Sequence, residues 1–354
     1  MYRNFQFIAY RTPTNGLEDR TGLGPGPLPP ISGASEALLK AQVGAATPSD
    51  DLNARLRRMI KVIEIAKEKA DPLSSTLKIF VAPEFYFRPK TGLTQRSYSE
   101  GDKEYLSNAL NMFQDESFKG WLFVCGTVVW EQYNVAHQQT VAWNTAFILE
   151  GGKSGRFLVH KRIYATPDAI NRETSPLRVS GKIEELRGYV DPVHAVFQIA
   201  GYWMGLEICM DHDSLLLRQG VPKRAKRDNV PTLKERGLAV QILTACGMNV
   251  QPGALYLDKE RSIVRVDGDQ RGAEPRSEIV RVLEVRAPGS PRSEHCVALE
   301  TSAETPPFKV VALPADVQME VTDPTALKYP QELAIYGLLP LPLRPPPPPP
   351  PSAP

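Results

Sequence analysis

At 354 residues the chain is long for one domain, although one large α/β domain with insertions can absorb that length. A hydrophobic share of 42% supports a sizeable core, and a formal net charge of +2 gives no reason to expect nucleic acid or an anionic membrane as partner. No apolar run approaches the roughly 18 residues that a spanning helix needs, so no membrane segment is expected.

The first element is a short aromatic strand over Phe5 to Tyr10. Residues 11–47 follow, with Gly-Leu-Gly-Pro-Gly-Pro-Leu-Pro-Pro at 22–30, and read as an irregular insertion. Ser49 or Asp50 then starts a helix on which Leu52, Leu56, Met59, Ile60 and Ile63 recur at helical spacing. Lys78 to Ala82 is a buried strand that ends in Pro83-Glu84, and a second helix is expected over Lys103 to Phe113. Three strands come next, Trp121 to Trp130, Val141 to Glu150 and Phe157 to Tyr164, the last holding His160-Lys161-Arg162. Residues 165–192 read as a polar loop.

The strand pair Ala195 to Ile199 and Tyr202 to Ile208 leads to Cys209, which is followed at once by Met210, Asp211, His212 and Asp213. Apolar alternation that stops at a cysteine and meets helix-start residues reads as strand, sharp turn, helix. Such a turn lifts the thiol out of the sheet end and aims backbone N–H groups at whatever lies above it. The plainer alternative is a buried cysteine acting as a small hydrophobe. Tyr202-Trp203-Met204 alternates along the strand and reads as core packing. A short helix is expected around Leu215 to Arg218, and the basic cluster at 223–227 reads as a solvated loop. Ala239 to Ala245, Ile279 to Val285, Cys296 to Leu299 and Lys309 to Leu313 read as further strands, and Arg344 precedes a proline run to Pro351 with polyproline II character. Helices alternate with strands in the first half and strands dominate later, which is the pattern of a layered α/β fold.

The cysteines, Cys125, Cys209, Cys246 and Cys296, are far apart and show no metal-ligand spacing, so they read as reduced and the protein as cytoplasmic, with no metal. The N-terminus lacks the apolar stretch of a signal peptide.

Three polar residues stand where a core does not ask for them: Glu84 after Val-Ala-Pro, Lys161 after Leu-Val-His, and Cys209 after Leu-Glu-Ile. Each alone has a dull explanation, Glu84 as a turn carboxylate and Lys161 as an edge-strand charge. Together they form a complete chemical set. A free thiol titrates near about 8.5, so attack on a carbonyl or nitrile carbon needs a base. Glu84 can take the thiol proton and return it to a departing amine. Lys161 and the Met210 N–H can stabilise the oxyanion.

Pro83-Glu84 after an apolar strand, His160-Lys161-Arg162, and the run from Gly205 through Cys209 to Asp211 resemble the three signatures of the nitrilase superfamily, the carbon–nitrogen hydrolases. The resemblance implies an α-β-β-α sandwich, one hydrolase domain over 1–330 and a proline-rich tail over 331–354. It also implies a Glu84–Lys161–Cys209 triad, no cofactor, a small-molecule substrate and a homo-oligomer. A second, supporting glutamate is expected between lysine and cysteine. Glu185 is favoured over Glu184, and Glu173 fits less well. Two features depart from the family pattern: the 11–47 insertion, and Asp213 at a position where an arginine is frequent. The resulting expectation is a thiol hydrolase of a small linear amide. The alternatives are a true nitrilase acting on C≡N and a catalytically silent scaffold that binds partners through the proline tail.

Overall fold

The computed structural model describes residues 2–14, 23–24, 28–89, 97–134, 139–163, 191–269, 276–285, 297–300, 309–318, 320–321 and 330–342. The strands are β1 (Asn4–Arg11), β2 (Leu23–Gly24), β3 (Thr76–Val81), β4 (Trp121–Asn134), β5 (Gln139–Glu150), β6 (Arg156–His160), β7 (Val196–Ile199) and β8 (Tyr202–Ile208). They continue as β9 (Leu238–Ala245), β10 (Leu257–Asp267), β11 (Ser277–Val285), β12 (Val297–Glu300), β13 (Lys309–Ala312), β14 (Glu320–Val321) and β15 (Glu332–Pro340). The helices are α1 (Gly33–Val43), α2 (Asp50–Lys69), α3 (Glu100–Ala109), α4 (Met210–Asp213), α5 (Leu216–Arg227) and α6 (Pro231–Arg236).

Two large sheets form, one in the order β13-β15-β1-β3-β4-β5-β6 and one in the order β12-β11-β10-β9-β8-β7, beside a small β14-β2 pair. Side-chain alternation decides how they stack. Phe5, Phe7 and Ala9 of β1 and Leu77, Ile79 and Val81 of β3 share one buried cluster with Met204, Leu206 and Ile208 of β8. The opposite faces of β1 and β3, carrying Ile8, Tyr10 and Phe80, pack on Leu52, Leu56, Met59 and Ile63 of α2. On the far side of the second sheet, α5 lies against β8. A Cβ on Gly205 would sit 2.6 Å from a Leu217 methyl, so the glycine is what lets α5 approach. The layers run helix, sheet, sheet, helix: an α-β-β-α sandwich.

Several expectations need correction. The 11–47 stretch is not irregular throughout, because α1 occupies 33–43. Ser32 caps it by accepting from the Ser35 N–H, and Ser35 Oγ in turn donates to Glu64 Oε1 of α2 at 2.6 Å, so a polar seam fixes this helix. The basic cluster is not a loop but the last part of α5, which runs through Pro222. Val221 and Ala225 bury one face while the charges face out, and Arg224 lies 5.4 Å over the Trp203 ring. The segment from 331 does not start as a tail. β15 pairs with both β1 and β13, and Tyr336 stacks on Phe7 at 5.0 Å. The strand over 157–164 ends sooner, at His160. β10 escapes detection because its first half is charged and exposed, with a register shift against β9 between Leu257 and Ser262 and Glu260 at φ 64°. The 165–192 loop, apart from its end, and the proline run lie outside the described residues. Among the described residues, no helix is long and apolar enough to cross a membrane.

Candidate active site

Strand direction brings the three signatures to one end of the sandwich. β3 and β4 run parallel, β5 reverses and β6 reverses again, so β3 and β6 end on the same side. β8 and β9 are parallel in the other sheet. The two sheets are pinned at that end by Thr244 Oγ1, which donates to the Ala82 carbonyl at 2.9 Å. The Cys209 N–H donates to the Thr244 carbonyl at 3.0 Å. Thr244 therefore ties the cysteine turn to the chain two residues before Glu84.

Lys161 Nζ donates to Glu84 Oε1 at 2.8 Å, with the side chains 1% and 0% exposed. Asn144 Nδ2 donates to the same oxygen at 2.8 Å, and the Asn144 carbonyl accepts the Lys161 N–H. Removing a carboxylate and an ammonium from water is costly, and the pair persists because each has the other and added hydrogen bonds. Phe85, directly after Glu84, holds φ at 64° and donates its N–H to Thr127 Oγ1 at 2.8 Å. The Lys161 ammonium also lies 5.5 Å from the Phe85 ring centre.

Cys209 adopts φ 48° and ψ −110°, an unusual backbone for a residue with a Cβ, between β8 and α4. Such conformations typically cost about 1–3 kcal/mol and persist where surrounding structure enforces them. The anchors are explicit here. Its N–H binds Thr244, its carbonyl accepts the His212 N–H, and its Sγ lies 3.8 Å from the Cys246 carbonyl. Met210 occupies the first position of α4.

Asp211 joins the cysteine turn to the lysine segment. Its Oδ1 accepts the N–H groups of Arg162 and Ile163, each at 2.9 Å. Burial pushes its carboxyl up to about 8, against the pull of the Ile163 N–H and the Lys161 charge. Behind the turn, Glu207 is wholly buried and accepts from the Leu217 N–H, Gln241 Nε2 and His212 Nδ1. The Gln251 N–H donates to His212 Nε2, so that nitrogen carries no proton and the imidazole proton sits on Nδ1. Both ring nitrogens are thus engaged, and His212 is no base for the thiol. His160, next to Lys161, is pushed down to about 4 by burial and is neutral at neutral pH.

Among the described residues, the other two thiols are less suited to attack. Burial pushes Cys246 well up, and the charges of Glu84 and Asp267 add to the shift. Burial likewise raises Cys125. Among the described residues, no group of three or more His, Cys, Asp or Glu side chains could hold a metal ion.

No family model matches the chain, and no curated protein does. Among solved structures, one match is Saccharomyces cerevisiae Nit3, a member of branch 10 of the nitrilase superfamily, at 14% identity and a TM-score of 0.39, covering 96% of this chain and 90% of that one. Another is glutamine-dependent NAD+ synthetase from Acinetobacter baumannii in complex with ADP, at 12% identity and a TM-score of 0.37, covering 75% of this chain and 38% of that one. At such identities and TM-scores the two matches carry no argument, and the chemistry rests on the side chains themselves.

Of the expected site residues, Glu84 and Lys161 are in direct contact and Cys209 is tied to both their segments through Thr244 and Asp211. Glu185, with Glu184 and Glu173, lies outside the described residues. Sequence reasoning passed over Asn144, Glu207 and Thr244. Asn144 and Glu207 were detectable as polar residues in the middle of apolar strands; Thr244 looks like any strand threonine.

Proposed function

We propose that the chain is a carbon–nitrogen hydrolase of the nitrilase superfamily, acting on a small linear amide with Cys209 as nucleophile. The observation that carries this reading is the buried Glu84–Lys161 ion pair, whose two segments are tied through Thr244 and Asp211 to a cysteine held on a strained strand-to-helix turn.

In the proposed cycle, Glu84 takes the Cys209 proton as Sγ bonds to the amide carbon. Lys161 and the Met210 N–H stabilise the resulting oxyanion; loss of one such donor typically costs about 3–4 kcal/mol of barrier. The C–N bond then breaks as Glu84 gives the proton to the leaving nitrogen, and a thioester remains on Cys209. Glu84 next deprotonates a water that attacks the thioester, and the acid departs as the thiol regains its proton. Asn144 and Asp211 hold the carboxylate and the lysine segment in place throughout.

A nitrile would add to the same thiol to give a thioimidate, and this is the second reading. The scaffold alternative has less support, since a protein with no chemistry to perform has no need to bury an ion pair and strain a cysteine at one sheet end. A cytoplasmic homo-oligomer belongs to the proposal too, and light scattering tests the assembly. The activity is tested by ammonia release from a panel of amides, N-carbamoyl compounds and nitriles. Release from linear amides supports the reading. Release from nitriles alone favours the second, and release from none overturns both.

A further inference from the structure

Behind the cysteine turn lies a buried polar hub that the proposed cycle does not use. Leu206 and Ile208 of β8 join the cluster between the sheets, so Glu207 faces α5 and is wholly buried there. A packing face has no need of a carboxylate, and burying one is costly unless its oxygens are met. Three donors from three segments meet them. Oε1 accepts the Leu217 N–H of α5 at 2.9 Å, and Oε2 accepts Gln241 Nε2 of β9 at 2.8 Å and His212 Nδ1 of α4 at 2.5 Å. Apolar side chains of similar volume often replace such a buried polar set at no loss of stability, so the carboxylate is there for what it holds.

What it holds is the nucleophile. Glu207 stands before Cys209 and His212 after it, so their hydrogen bond closes a bracket across the turn with the thiol inside it. The His212 N–H also donates to the Cys209 carbonyl at 2.9 Å. Cys209 holds φ at 48°, a conformation that persists only where its surroundings enforce it, and its own side chain makes no capping bond to α4. On its far side the imidazole accepts the Gln251 N–H at 2.9 Å. The chain leading to Gln251 passes the thiol at Cys246, whose carbonyl lies 3.8 Å from the Cys209 Sγ. One buried pair thus fixes both the turn and the chain beside it.

We propose that the Glu207–His212 pair is the positioning device of the nucleophile: it touches no substrate and sets the place of the Cys209 thiol through the turn. Resting on the hydrolase reading, the pair acts on the chemical step and not on substrate binding.

Two arms test it separately. The first needs no turnover: full-length protein is treated with iodoacetamide at pH 7, and peptide mass spectrometry follows alkylation at Cys209, Cys125 and Cys246. In the wild type Cys209 should react first. His212→Phe keeps a ring and removes both nitrogens; it should slow Cys209 at least tenfold and leave the other two as slow as before. Glu207→Gln should slow Cys209 likewise, and it decides the matter if His212→Phe does not fold. His212→Asn, whose Nδ2 stands where Nδ1 stood, should restore the rate to within threefold of the wild type. Wild-type alkylation in whichever of the first two variants folds overturns the proposal, as does a His212→Asn protein no faster than His212→Phe. Faster alkylation of all three cysteines, or loss of the fold in both first variants, reduces the pair to a structural role and overturns it too. In the second arm, His212→Phe should lower kcat at least tenfold on a hydrolysed amide with KM within threefold, and His212→Asn should recover kcat. A raised KM with unchanged kcat overturns the proposal. Slowed alkylation in the variants, beside no amide turnover by the wild type, would sustain the positioning role and overturn the hydrolase reading.

Discussion

Lys161 Nζ and Glu84 Oε1 meet at 2.8 Å although 77 residues separate them in the chain, and neither side chain reaches solvent. β6 is the edge strand of its sheet, so a lysine one residue beyond it could have faced water as an edge charge. It points inward instead. Removing one partner of a buried pair leaves the other charge unmet and typically costs about 3–5 kcal/mol. Lys161→Ala should therefore lose both turnover and several degrees of melting temperature. Lys161→Arg should lower turnover about a hundredfold or more, since a wide fork cannot take the place of a compact ammonium and misplacement near 1 Å suffices for that loss. Glu84→Gln keeps an oxygen for Lys161 but not its counter-charge, so it should melt below the wild type and be inactive, because an amide takes up no thiol proton. Steady-state rates beside thermal melts check all three, and wild-type turnover in Lys161→Arg would remove the lysine from the site.

Cys209→Ala should abolish turnover with a stability change within about 1 kcal/mol. Alanine keeps the Cβ that the unusual φ already accommodates, and the lost sulfur leaves a small gap in place of a large cavity. Loss of the fold on melting would mean that the thiol serves packing.

Asp211 gives a pH signature. Its carboxyl titrates at about 8 in the folded state against 3.8 for the ordinary group, burial being the main cause. Between those values the native state holds a proton that the unfolded chain has released. Its contribution to stability is therefore complete below about pH 4 and is lost as pH rises through 8. The slope approaches about 1.4 kcal/mol per pH unit. Asp211→Asn still offers an oxygen to the Arg162 and Ile163 N–H groups, so denaturant melts across pH 4 to 9 should show this slope removed. An unchanged slope would assign it to other groups.

Gly126 lies under the glutamate turn at φ +80°, and a Cβ there would sit 2.6 Å from the Pro83 carbonyl and 2.8 Å from the Tyr86 Cβ. Backbone cannot yield as a flexible side chain does. Gly126→Ala should cost about 1–3 kcal/mol by crowding alone and reduce turnover by displacing Glu84. A variant that melts and turns over like the wild type would show that the turn is not held in this way.

Much of the site was legible because chemistry interrupts pattern. A carboxylate, an ammonium and a thiol at the ends of apolar runs are visible in sequence, and β1, β3, β7, β8 and β9 follow from short apolar or alternating runs. What was illegible depends on contacts distant in sequence. β15 reads as the approach to a proline run, and only its pairing with β1 makes it a strand of the sheet. β10 begins charged and exposed and turns apolar midway, so no single period describes it. The basic end of α5 reads as loop because Pro222 removes a backbone donor in mid-helix, while Val221 and Ala225 supply the packing that sustains it. The clamps through Thr244 and Asp211 join segments far apart in the chain, and no local pattern announces them.

The central claim is a covalent cycle through Cys209, and rapid-quench intact-mass spectrometry on a substrate amide tests it most directly. The account predicts a transient mass increase equal to the acyl group, located on the peptide that carries Cys209 and absent from Cys209→Ala. Turnover with no such adduct at any quench time, or with an adduct on Cys246 or another residue, would contradict it.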